Sequence, residues 1–241
     1  MSSRTNTKLS FSCELQKNIL QLGMTKSEVT STQRMLNVWA IILIIWSFYR
    51  ATFKSDLPLW FDEFIAKPLV FLLPIYWYIT KSEKKSFLTG VGFRKNKVLI
   101  DILFGLGIGS VFIGVAILTR ITKGMTFPQL HLTSESIIWF LSTLMAAVTE
   151  QTLSTGFIFK RLSDESKNIV RSLMISALLF FFLHVPVLFG VDKISSSTLV
   201  QMIILNTVMS LTTSVAFLLR KNTVVPILVH ALYLLSLPIL L

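Results

Sequence analysis

Cysteine is almost absent from this 241-residue chain, Cys13 being the only one. A lone thiol excludes an internal disulfide and any cysteine metal cluster. Charge is scarce as well, at 15% of residues, and the acids are the scarcer part of it, 12 Asp and Glu against 23 Lys and Arg. Only three histidines occur, and no two of them have the His-Glu-x-x-His spacing of a helical zinc protease. The first 34 residues hold no apolar core of the kind a cleavable secretory signal requires, and no apolar run precedes Cys13 as it would in a lipoprotein signal. An internal repeat, with the paired broken helices of a transporter, is also missing.

Apolar sequence fills the space these absences leave. Hydrophobic residues make up 53% of the chain and mean hydropathy is +0.70, outside the balance of a soluble domain. Seven segments approach the roughly 20 residues a bilayer span needs: 35–53, 64–80, 98–119, 136–159, 169–189, 198–219 and 223–241. The expected fold is an all-α polytopic membrane protein, a bundle of about seven transmembrane helices with room for an eighth in a re-entrant piece.

Net charge is +11, a value that on a soluble domain would point to nucleic acid. Its placement points elsewhere. The tail and alternate loops hold 17 of the 23 Lys and Arg, so the positive-inside rule predicts a cytoplasmic N-terminus and an external C-terminus. The expected location is the plasma membrane, multi-pass, with membrane lipids as partners and no nucleic acid.

Three units are expected along the chain. Residues 1–34 form a polar cytoplasmic tail with an amphipathic stripe of Phe11, Leu15, Ile19 and Leu22. Residues 35–97 give two spans, flanked by aromatics that read as interfacial anchors, and a basic loop. Residues 98–241 carry the remaining spans. In the third, Gly105-x-x-x-Gly109 reads as a small-residue face for close helix packing, because no strand precedes it as a dinucleotide fingerprint would require. Asp101 in the same span is expected to pair with a neighbouring Lys.

Glu150 is the one charge in an apolar run from Ile137 to Phe159. An ionisable group in hydrocarbon faces a protein interior or wet cavity and has a partner. His184 on the fifth segment and His230 on the seventh lie, like Glu150, roughly 15 to 20 Å from the cytoplasmic end at 1.5 Å per residue. Three ionisable side chains on three helices at one depth outline a site. A carboxylate beside an imidazole can take a proton from water and later return one to a leaving amine. A second imidazole can donate to the oxyanion between those steps, so the set describes peptide hydrolysis without a covalent intermediate. Two His and one Glu would also suit zinc with an open position, a minority reading; no metal or other cofactor is expected.

The stretches around these residues resemble the three motifs of the CAAX protease and bacteriocin-processing family, also called Abi, of membrane-embedded glutamate-type endopeptidases. The motifs are E-E-x-x-x-R then Gly, F-x-x-x-H, and H-x-x-x-N, and the resemblance runs from about Val98 to the C-terminus. It implies that Glu150, followed by Gly156 and Phe157, activates water, that His184 with Phe180 assists it, and that His230, preceded by Arg220, Pro226 and Ile227, belongs to the oxyanion site. The substrate it implies is a peptide or membrane-tethered protein.

The chain departs from the motifs at three places. Gln151 stands for the second Glu, Thr155 for the Arg and Leu234 for the Asn. The first two are an i,i+4 pair, so both charges are replaced together and neither is orphaned. With Leu234 a donor is missing, and Asn206 in the sixth segment, near the depth of His184, is the candidate to replace it. An endopeptidase is the first expectation. The second is an inactive scaffold of the same family that binds a partner in bacteriocin immunity or envelope regulation.

Overall fold

The computed structural model describes residues 30–53, 57–127, 133–190 and 196–240, and every regular element among them is helical. Helix α1 is Ser31–Thr52. Helix α2 covers 59–82 as alternating α and π turns. A short α3, Phe87–Gly90, precedes α4, Val98–Thr122. Helix α5 covers 134–165, with π turns over Thr152–Phe159 between its α segments Ser134–Gln151 and Lys160–Glu165. Helix α6 is Ile169–His184, prolonged by the 3-10 turns of Val185–Gly190. Then come α7, Ser196–Arg220, and α8, Val224–Leu240. The stripe expected at 11–22, Cys13 and His131 lie outside the described residues.

Local sequence accounts for several boundaries. Thr30 caps α1 by accepting from the Gln33 amide, Thr133 and Ser136 form a capping box on α5, and Asn168 caps α6 through the Arg171 amide. Pro68 and Pro74 supply no amide hydrogen; Pro68 opens the π turns Pro68–Leu72 and Pro74 falls in the first turn of the α segment Leu73–Trp77.

Helix α5 runs through the middle, and all of 149–159 is buried. On one side Phe157, Ile158 and Leu153 pack with Trp46 and Ile42 of α1, Phe71 and Ile75 of α2 and Leu183 of α6. Across from this cluster, α4 lies along α8. A Cβ on Gly105 would meet Leu228 at 3.0 Å and one on Gly109 would meet Leu232 at 2.6 Å, so this small-residue face lets α8 seat directly on the α4 backbone.

Outward faces are apolar where a soluble protein would be polar: Ile44, Phe48, Leu99, Leu103, Val111 and Leu118 are all exposed. Among the described residues four helices are long and apolar enough to cross a membrane, Ser31–Thr52, Val98–Thr122, Ile169–Val187 and Leu199–Arg220, with Val224–Ile239 a shorter apolar helix. The chain is thus an all-α membrane protein. Helices stand over all seven apolar segments, but α2 and α5 are interrupted by π turns and carry the polar residues of the site.

Asp101 differs from expectation in its partner. Its carboxylate takes Arg220 Nε at 2.7 Å and Asn222 Nδ2 at 2.6 Å, while Asn222 also bonds the backbone of Arg94 and Thr223 donates its hydroxyl to the Val91 carbonyl. The nearby lysines sit on the exposed side of the loop; the arginine arrives from the last turn of α7, beside the α7–α8 turn, which is adjacent only in three dimensions. These bonds tie the loop 91–97 to that turn at the end of the bundle carrying the basic loops.

Candidate active site

Glu150 and Gln151 are consecutive on α5, so their side chains leave the helix about 100° apart and reach different neighbours. Glu150 turns toward α2. Its Oε1 accepts from the Lys67 ammonium at 2.7 Å, and Lys67 in turn donates to Glu63 Oε1, also at 2.7 Å. The other oxygen, Oε2, faces both imidazoles, with His184 Nε2 at 3.5 Å and His230 Nε2 at 3.7 Å. Glu150 is 8% exposed and His230 1%.

The second nitrogen of each imidazole has a partner that determines its proton. His184 Nδ1 is 3.0 Å from the Phe180 carbonyl, which can only accept, so Nδ1 carries hydrogen and neutral His184 presents a bare Nε2 to Glu150. The Phe180 ring holds this imidazole at 4.5 Å between centroids and lies 6.0 Å from the His230 ring. His230 Nδ1 meets Gln151 Nε2 at 3.0 Å. Thr155 donates its hydroxyl to Gln151 Oε1 at 2.6 Å, which orients the amide so that its nitrogen faces His230. His230 Nδ1 therefore accepts, and its Nε2 carries the hydrogen. One histidine offers an acceptor toward the carboxylate and the other a donor.

Space adjoins the carboxylate on two sides. A cavity of about 320 Å³ is lined by Glu63, Lys67, Ser142, Glu150, His184 and Leu234, among others. A smaller one of about 60 Å³, room for water, lies between Trp46, Lys67, Glu150, Phe180 and His184. The larger cavity is bounded by the start of α2, the first half of α5 and the last half of α8. It lies toward the end of the bundle away from the basic loops.

The structure thus brings Glu150, His184, His230, Gln151 and Phe180 together. Asn206 is half-buried on α7 with no hydrogen-bond partner among the described residues, and the amide that reaches His230 is that of Gln151. Among the described residues no group of three or more His, Cys, Asp or Glu is arranged to hold a metal ion.

Residues 132–235 match the Rce1-like family. Its model describes type II CAAX prenyl endopeptidase Rce1-like proteins, a protease family, and this is the family to which the three motifs point. No curated protein and no solved structure matches the chain. The Rce1-like stretch contains Glu150, Gln151, Phe180, His184 and His230, and it leaves out α1 and α2. Lys67 and Glu63 are therefore additions to the Rce1-like residues from outside the matched stretch. Sequence reading missed both, because they fall where the second apolar segment meets its loop and read as boundary charges. The available signal was Glu63-x-x-x-Lys67, an i,i+4 ion pair at the head of an apolar segment, in a chain whose Glu150 needs a cation.

Proposed function

We propose that this chain is a membrane-embedded endopeptidase that hydrolyses a peptide or membrane-tethered protein with water activated by Glu150 and His184. The observation that carries the reading is the convergence of two imidazole Nε2 atoms on one oxygen of a buried glutamate, beside a cavity large enough for a peptide segment.

The neighbours of each atom give the roles. Glu150 Oε2 and His184 Nε2 are two acceptors side by side, and a water molecule set against them has a donor for each. As its oxygen attacks the scissile carbonyl carbon, its proton passes to this pair and the carbonyl π electrons move to oxygen. His230 Nε2–H is the donor for that oxyanion. When the intermediate collapses, the C–N bond breaks and the held proton goes to the leaving amine. Lys67 occupies Oε1, which directs the chemistry to Oε2 and gives the buried carboxylate its counter-charge. Gln151, fixed by Thr155, keeps His230 in the donating tautomer, so the neutral pair at 151 and 155 performs the orienting task without a second acid.

The seven-span arrangement with basic loops inside belongs to the same proposal, as do the plasma-membrane location and the division into a tail, two leading spans and a catalytic unit. With that orientation the larger cavity opens in the outer half of the bilayer, and the substrate is approached from there. A scaffold reading, with the cavity binding a partner in bacteriocin immunity or envelope regulation, draws on Leu234, an apolar side chain on the cavity wall. The two readings part on one comparison. Purified wild-type protein and Glu150→Ala are incubated in detergent with a peptide library and the products analysed by mass spectrometry. Products that depend on Glu150 are the expected result; identical profiles would leave only the scaffold.

A further inference from the structure

The cavity beside Glu150 contains an acid for which the hydrolysis proposed above has no use. Glu63 is 6% exposed, and while its Oε1 takes the Lys67 ammonium, its Oε2 is buried with no hydrogen-bond partner among the described residues. Ser142, 1% exposed, lines the same cavity from α5, and its hydroxyl also has no partner among the described residues, although a helical serine normally has the carbonyl one turn back to bond. Buried polar atoms left unpaired are few in folded proteins, and a carboxylate oxygen is among the most expensive to leave so.

Charge makes the same point independently. Two carboxylates, Glu63 and Glu150, share the single ammonium of Lys67, and no other Lys or Arg is among the cavity's lining residues. With both acids ionised, one negative charge in this apolar surround is unmatched. The same lining includes Leu59, Trp139, Leu237 and Pro238, apolar residues that suit the methylenes of a long basic side chain.

We infer that this part of the cavity is a subsite for a basic side chain of the bound peptide, its cation pairing with the Glu63 carboxylate on the wall that Ser142 shares. Because Glu63 and Glu150 both bond one ammonium at 2.7 Å, their bonded oxygens lie within two hydrogen-bond lengths of each other. The subsite is therefore adjacent to the water-activating pair, and the basic residue neighbours the scissile bond. The inference rests on the endopeptidase reading for that position along the substrate, whereas the preference for a cation does not depend on cleavage.

The test uses two fluorescently labelled, capped, apolar pentapeptides that differ only in a central lysine or norleucine. Initial binding to the full-length protein in detergent is read by anisotropy. The lysine peptide is expected to bind wild type about 10- to 100-fold more tightly than the norleucine peptide, the range of one charge-assisted hydrogen bond. Glu63→Gln, which keeps the shape and removes the charge, should bring the two within about threefold of each other. Should that variant fail to fold, Ser142→Ala takes its place and should reduce the preference about threefold or more. Equal binding of both peptides to wild type, or a preference that survives Glu63→Gln, overturns the subsite, and a protonated Glu63 would give the former. Cleavage of the same peptides by wild type and Glu150→Ala is followed in parallel. Cleavage that ignores Glu150 ends the hydrolase reading and leaves the binding ratio to stand or fall by itself.

Discussion

The two oxygens of Glu150 have different neighbours, and the difference decides what each side chain around them contributes. Lys67 holds Oε1 and shares its ammonium with Glu63, so removing it leaves two carboxylates buried without their cation. Breaking a buried pair from one side typically costs about 3 to 5 kcal/mol. Lys67→Met should lower the thermal unfolding midpoint in detergent well below that of wild type, and Lys67→Met combined with Glu63→Gln should recover part of the loss, which a double-mutant cycle measures. In the proposed reaction Gln151 acts through His230 rather than on substrate. Gln151→Leu deletes the donor on Nδ1 and frees the wrong tautomer; kcat is expected to fall about 10-fold or more with KM little changed, and Gln151→Asn is not expected to rescue it because its amide is one methylene short. At this scale the sequence was legible wherever a polar residue interrupts an apolar run, as at Glu150, His184 and His230. It was illegible where two charges sit at a segment's edge, as at Glu63 and Lys67, and where a partner is 79 residues away, as Gln151 is from His230.

Among the helices, α5 and α8 carry most of the arrangement. Helix α5 is buried through its π turns, and Gly156 lies so close to the Val91 carbonyl that a Cβ there would stand 2.7 Å from it. Helix α8 carries His230 and is seated on α4 through Gly105 and Gly109. Gly109→Val should push α8 away from α4, with overpacking costs of about 1 to 3 kcal/mol. Gly107→Ala on the same helix, with nothing within 4 Å of its Cβ position, should not lower the unfolding midpoint. A comparison of the two midpoints checks the claim, and equal losses would argue that the glycines serve something other than this contact. The helices over the seven segments and the small-residue face were readable from apolar runs and glycine spacing. The π turns were not, since no residue pattern in 152–159 distinguishes them from α-helix, and the Arg220 partner of Asp101 is supplied by the end of α7, which only the folded chain brings near.

For the whole molecule, the basic loops gather at one end and the cavity opens toward the other. The positive-inside rule then predicts that a single cysteine introduced at Ser166, with Cys13 replaced by serine, is shielded from an impermeant thiol reagent in intact cells, while one introduced at Thr126 is labelled. The reverse pattern would invert the bundle and move the cavity to the cytoplasmic half. Composition alone made the chain a membrane protein, and the charge asymmetry made its orientation predictable. The contribution of α2 to the site could not be read this way, because the Rce1-like stretch begins beyond it and nothing in the spacing of the motifs calls for it.

In the proposed reaction Glu150 is the group that takes the proton from water. The most direct measurement of that role is the single-turnover cleavage rate of Glu150→Gln against wild type on one peptide identified from the library, with both proteins shown to unfold at the same temperature. The predicted result is a rate lower by about 10² to 10⁴, the usual worth of a positioned general base. A rate within about threefold of wild type would contradict it, because Gln keeps the shape of Glu150 and removes only its capacity to accept the proton.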